Sequence, residues 1–297
     1  MRWEGGRRGG GVDDRRGMGG GGVIGGGLGV MVLALAGYFL FGIDPNVTTQ
    51  VATQLGMGQG SSAEGNIGSP DDPAGQFVEV IQTSTTDVWS RLMPGYEEPR
   101  VVIYEGGTGT ACGLGQAAMG PFYCPLDRQV YLDLSFWNTM SQQLGASGDF
   151  AQAYVIAHEV GHHVQTLDGT ADRVRQAQSQ ARGQAEANQW QVAMELQADC
   201  YAGVWAAHVG EATGGQVTLE PGDIEEGLNA ASRIGDDVLS GGRASPDSFT
   251  HGSSEQRVEW LRRGLQSGDP AQCNTFGSRG GGGAKALWNG KAVEFRM

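Results

Sequence analysis

The sequence predicts an α+β fold, a small β part followed by a mainly helical part, set behind a single N-terminal transmembrane helix. The membrane helix rests on an uncharged run of 21 residues, Val23–Ile43. The β part rests on short apolar alternations ahead of residue 135. The helical part rests on apolar residues at helical spacing from Asp149 almost to Leu265.

Residues 1–22 form a leader rich in arginine and glycine, with five arginines against Glu4, Asp13 and Asp14. The run 23–43 matches the roughly 20 residues that cross a bilayer. Arginines ahead of it place the leader in the cytoplasm and residues 44–297 outside. A buried core helix and a signal peptide cleaved near Ala34-Leu35-Ala36 are the alternatives, but the polar leader is long for an n-region. Residues 44–75, rich in Gly, Ser, Gln and Asp, read as a linker. A domain over 76–277 opens with a helix over Gln76–Met93, where Phe77, Val80, Ile81, Val88 and Leu92 recur at helical spacing. Val101–Tyr104 reads as a strand, and Pro121–Leu134 as two short strands about a turn near Leu126–Arg128. Phe136–Leu144 reads as a short helix. Polar, Gly-rich turns at 209–222 and 240–252 divide the later helices, and 278–297 reads as a loose, disordered tail.

Composition narrows the function. Glycine supplies 52 residues, but 14 of them precede residue 30, so the 39% hydrophobic content suffices for one core. The lack of a Gly-X-Y period excludes collagen. A net charge of −13 argues against nucleic acid as a partner, since phosphates require a basic face. Cys112, Cys124, Cys200 and Cys273 form no CxxC pair, and export would favour disulfides. Three pairings are open. Cys112 with Cys124 would close a short loop and leave Cys200 with Cys273; free buried thiols are the alternative.

The chemistry lies in FAQAYVIAHEVGHHVQTL. On a helix, His158 and His162 project from one face and can fill two tetrahedral positions of Zn²⁺. Glu159 beside them can take a proton from an activated water and return it to a leaving amine. His163 points away from His158, and Gly161 leaves room for another segment to pack closely. A third ligand is required. Asp168 stands where an HExxHxxGxxH/D pattern would put it, but Gln165 replaces the turning glycine. A later helix, Gln189–His208, places Glu195 and Asp199 four apart. Glu195 is the preferred ligand there, with Asp199 fixing a histidine tautomer from behind; His208 and His251 are further alternatives. Asp236 and Asp237 read as a solvated helix end.

HEVGHHVQ followed by MELQADCYAG resembles the gluzincin arrangement, HExxH plus ExxxD. The chain more closely resembles the YpfJ-type family of bacterial neutral zinc metallopeptidases. The likeness runs through MRWEG…DDRRG, GPFYCP, YLDLSF, DFAQAYVIAHEVGHHVQ, MELQADCYAGVW, GDIEEGLNAA, PDSFTHGSSEQR and GDPAQCNTF, and stops before the Gly-rich tail. It implies a zincin-like fold and a zinc cofactor. Gluzincins in general imply a strand beside the active-site helix to which substrate adds, here Tyr131–Leu134 or Gly120–Tyr123. The spacing of His251 and Arg257 resembles one in membrane-associated gluzincins whose histidine faces the substrate, which gives His251 a role at the oxyanion. His251 precedes Ser253-Ser254-Glu255-Gln256, a capping-box-like helix start. The expectation is a membrane-anchored zinc metalloendopeptidase acting on peptide or protein substrates. It would sit in the bacterial cell membrane with its catalytic domain periplasmic or otherwise extracytoplasmic. A non-catalytic zinc-binding interaction module is the rival reading, and the oligomeric state is open.

Overall fold

The computed structural model describes residues 1–17, 65–116 and 119–277, and the backbone of residues 284–288 and 291–295. Alternating apolar residues in the first half build a five-stranded sheet from β1 (Val12–Asp14), β2 (Asn66–Gly68), β3 (Arg100–Tyr104), β6 (Phe122–Cys124) and β7 (Gln129–Asp133). A separate hairpin joins β4 (Gly107–Thr110) to β5 (Gly113–Gln116). The order across the sheet is β2-β1-β3-β7-β6. β1, β3 and β7 are parallel, and the outer strands β2 and β6 run antiparallel to their neighbours. Period-two alternation sorts the side chains onto two faces. Val101, Ile103, Val130 and Leu132 join the main core, while Val102, Tyr104 and Tyr131 form a smaller one with Cys124.

The helices are α1 (Pro73–Leu92), α2 (Phe136–Gln142), α3 (Asp149–Leu167), α4 (Thr170–Ser179), α5 (Gln184–Ala212), α6 (Asp223–Arg233), α7 (Asp236–Leu239) and α8 (Ser254–Ser267); α1 and α3 pack on the sheet, and α5 packs on α1, α3, α4 and α8. Asp72 caps α1 by accepting the Gly75 N–H at 3.0 Å. Ser253 and Gln256 form a full capping box at the start of α8. Two close crossings set the geometry of the functional region. A Cβ on Gly161 of α3 would lie 3.1 Å from the Ala198 Cα of α5. One on Gly264 of α8 would lie 1.9 Å from the Cys200 carbonyl oxygen of α5. Disulfides join Cys112 to Cys124 and Cys200 to Cys273, the pairing that the short loop favours.

The segment boundaries need correction. Residues 1–17 are not separate from the domain. The Met1 ammonium is buried between Asp149 (2.7 Å) and Asp223 (2.9 Å). Arg2 and Thr218 exchange backbone hydrogen bonds of 2.9 and 3.0 Å, and β1 lies inside the sheet. Three residues are too few to show alternation, which hid this strand. The linker expected over 44–75 contains β2 and the first turn of α1. Within the tail expected to be disordered, Ala284–Trp288 and Lys291–Phe295 pair as an antiparallel hairpin. The transmembrane helix expected at 23–43 lies outside the described residues. Among the described residues, no helix is long and apolar enough to cross a membrane.

Candidate metal centre

The i, i+4 spacing on α3 puts His158 and His162 on one face, with ring centroids 4.8 Å apart. Because Gly161 presents no side chain, α5 approaches closely enough to deliver Glu195 between them. The Glu195 Oε2 lies 3.2 Å from His158 Nε2 and 3.4 Å from His162 Nε2. All three ligand atoms fall within 4.8 Å of one another, and the residues are largely buried. Two imidazole nitrogens and one carboxylate oxygen are a donor set that would suit Zn²⁺.

The remaining nitrogens fix how the two rings are turned. His158 Nδ1 lies 2.8 Å from Asp199 Oδ1, an atom that only accepts, so Nδ1 carries a proton and the ring turns Nε2 toward Glu195. His162 Nδ1 lies 2.8 Å from the Gln165 side-chain oxygen. That amide cannot turn over: its NH₂ donates to the Met194 carbonyl at 2.8 Å and to Gln197 Oε1 at 3.0 Å. Gln165 thus does more than replace a glycine; it orients a ligand. Gln191 donates to the other Glu195 oxygen at 2.9 Å.

Behind His158 sits a fully buried polar network. Arg257 of α8 grips Asp199 with Nε on Oδ2 and Nη2 on Oδ1, each at 2.9 Å, and Tyr154 donates to Asp199 at 2.6 Å. The Asp199 carboxyl is consequently held down to about 2. Burial alone would raise it, but the Arg257 guanidinium and then His158 outweigh that cost. Burial likewise disfavours the His158 imidazolium, yet Asp199 and Glu195 push its pKa up to about 10. Negative charge therefore converges where a cation would sit. Glu195 is depressed well below its usual range, His162 overcoming the effect of burial. Glu159 behaves oppositely: burial raises it, against the pull of both histidines.

Of the other predicted residues, His251 stands beside the centre but outside the ligand set. Its loop packs on α5, where a Cβ on Gly252 would meet Leu196 at 3.2 Å and Val192 at 3.3 Å, flanking Glu195 in sequence. Asp236, expected to be solvated, is 8% exposed and organises this loop. Its Oδ2 accepts backbone N–H groups from Thr250, His251 and Gly252 at 2.7, 2.6 and 3.1 Å, and Oδ1 lies 3.1 Å from His251 Nδ1. Asp168 caps the end of α3 and accepts the Thr170 N–H at 2.8 Å, outside the cluster. His208 is engaged with the Gly268 carbonyl at 2.7 Å. His163 points away, as expected: Tyr123 and the Glu97 carbonyl hold it, and burial pulls its pKa down to about 4. Tyr154, Gln165 and Asp236 were not singled out as site residues in the sequence; for Tyr154, its place one turn before His158 is the signal that could have been used.

The expected substrate strand resolves to one candidate. β7, which covers most of Tyr131–Leu134, is paired on both sides, by β3 and β6. β6 ends the sheet, packs near α3, and keeps one edge unpaired among the described strands.

A family profile described as "Putative neutral zinc metallopeptidase" matches residues 1–276. The chain is 50% identical over 295 residues to "Uncharacterized protein YpfJ" of Escherichia coli (strain K12), covering 93% of this chain and 99% of that protein. It is 43% identical over 217 residues to "Uncharacterized protein Rv2575" of Mycobacterium tuberculosis (strain ATCC 25618 / H37Rv), covering 68% and 72%. No solved structure matches.

Proposed function

Since the chain belongs to the neutral zinc metallopeptidase family, we propose that it is an endopeptidase that hydrolyses peptide bonds of extended substrates. The observation that carries this reading is the convergence of His158, His162 and Glu195, with Glu159 buried beside them. Those three residues would hold zinc, which would supply Lewis acidity toward water and the scissile carbonyl. Glu159 takes the proton from the attacking water and delivers it to the leaving amine; its raised pKa suits both roles. Asp199 and Gln165 hold the histidine tautomers. His251, fixed by Asp236, donates toward the oxygen on which negative charge develops. The free edge of β6 pairs with the substrate backbone, aligning it along α3.

The two disulfides support an oxidising compartment, and the apolar stretch 23–43 supports attachment to the bacterial cell membrane. The reading therefore includes an extracytoplasmic catalytic domain. The test is Glu159→Gln in the purified chain, followed by zinc stoichiometry and hydrolysis of an unfolded protein. Full zinc with hydrolysis lowered by several orders of magnitude is expected. Undiminished hydrolysis in the variant refutes the mechanism. A wild-type chain that binds zinc but cleaves nothing would favour the non-catalytic module.

A further inference from the structure

Residues 1–17 are joined to the domain in ways that a chain on the far side of a membrane could not be. β1 is hydrogen-bonded on both sides, to β2 and to β3, and Val12 and Asp13 are fully buried. Arg15 N donates to the Ile103 carbonyl at 2.8 Å, and Val101 N to the Gly11 carbonyl at 3.1 Å. Glu79 of α1 is fully buried, and two of its three partners come from the arm: Arg8 Nε at 2.6 Å and Gly10 N at 2.7 Å, with Ser69 as the third. Without the arm this carboxylate would be a buried charge without a counter-ion.

The arginines that suggest a cytoplasmic leader are accounted for in the same way. Arg7 pairs with Asp87, Arg8 with Glu79, Arg15 with Asp13, and Arg16 with Asp14 and Asp72. Arg2 donates to the Gly215 carbonyl. They are fold partners, and their count says little about orientation.

The chain also leaves and returns at one place. Asp14 is opposite Asn66 in the register of β1 and β2, and Gly65 N donates to Asp13 Oδ1 at 2.8 Å. One crossing between these points would separate them by about 30 Å of hydrocarbon. We propose that residues 1–17 lie on the same side of the cell membrane as residues 65–277. This is independent of the peptidase reading, and it replaces the cytoplasmic leader.

The test uses Arg7→Cys and Arg182→Cys in the full chain, produced in bacteria. Both side chains are exposed, 53% and 90%, and the native cysteines are all bonded, so the unsubstituted chain is a silent control. A membrane-impermeant maleimide is added to intact spheroplasts and to lysed ones. The same pattern at both positions is expected. Labelling of both before lysis supports the proposal and an extracytoplasmic domain. Labelling of both only after lysis supports the proposal and removes that localisation. Labelling of one before lysis and the other only afterwards overturns the proposal. Glu4→Cys, also exposed, serves as a second reporter on the arm if Arg7→Cys fails to accumulate.

Discussion

Replacing Arg257 by methionine keeps much of the side chain's length and removes its charge. Arg257 is 3% exposed, and Asp199, which it grips through two bonds of 2.9 Å, is fully buried. The variant leaves Asp199 with Tyr154 and His158 alone, in a place water does not reach. Breaking a buried pair from one side costs about 3–5 kcal/mol, and urea unfolding of the purified chain is expected to show a loss of that size. Asp199→Asn removes the charge that Arg257 answers, so the double variant should lose less than the two singles together, with a coupling of about 2 kcal/mol. Zinc affinity should fall about 10–100-fold in Arg257→Met, because Asp199 no longer holds His158 firmly. Losses that add within about 0.5 kcal/mol would refute the coupling. Unchanged zinc affinity would show that the network serves stability alone.

Glu195→Gln exchanges an anionic donor for a neutral one and is expected to lower zinc occupancy sharply, while Asp168→Asn leaves it full; the reverse order in a metal assay would reassign the third ligand. Asp168 also gives a pH signature, because burial pushes its carboxyl from 3.8 up to about 6. A raised carboxyl contributes stability below its unfolded value and loses it as pH rises through the folded one. Asp168→Asn should therefore gain on the unsubstituted chain between about pH 4 and 6 and level off above, by about 1–3 kcal/mol after solvent screening; a pH-independent difference in melting temperature would count against this. Gly264→Ala must force α8 away from the Cys200 carbonyl. A cost of about 3 kcal/mol, at the upper end of overpacking effects, is expected in denaturant unfolding, and an unchanged midpoint would contradict the close crossing.

The metal ligands were legible because helical spacing alone decides which way His158 and His162 face, and ExxxD on a second helix leaves few ways to complete the set. Most of the helices and β3, β6 and β7 were legible through their periodicity. The second tier was harder to see. Asp236 looks like a solvated helix end until the backbone of 250–252 folds over it, and Gln165 acquires its role only through α5. β1 was hidden for a different reason: a three-residue strand has no period, and its neighbouring arginines read as part of a leader. Pairing between residues 89 apart, such as Asp13 with Val102, leaves no local trace.

The placement of the first residues has a consequence for timing. Met1 finds its second carboxylate on Asp223, separated from it by 222 positions. At 5–20 residues per second, roughly 10–45 s pass between synthesis of the two. During that interval β1 has β3 available, but the ammonium lacks one of its two close carboxylates. Contacts of such separation form late, after the entropy of closing the intervening chain has been overcome. A chain stopped before α6 would carry His158, His162 and Glu195 and still lack the Asp223 partner of Met1.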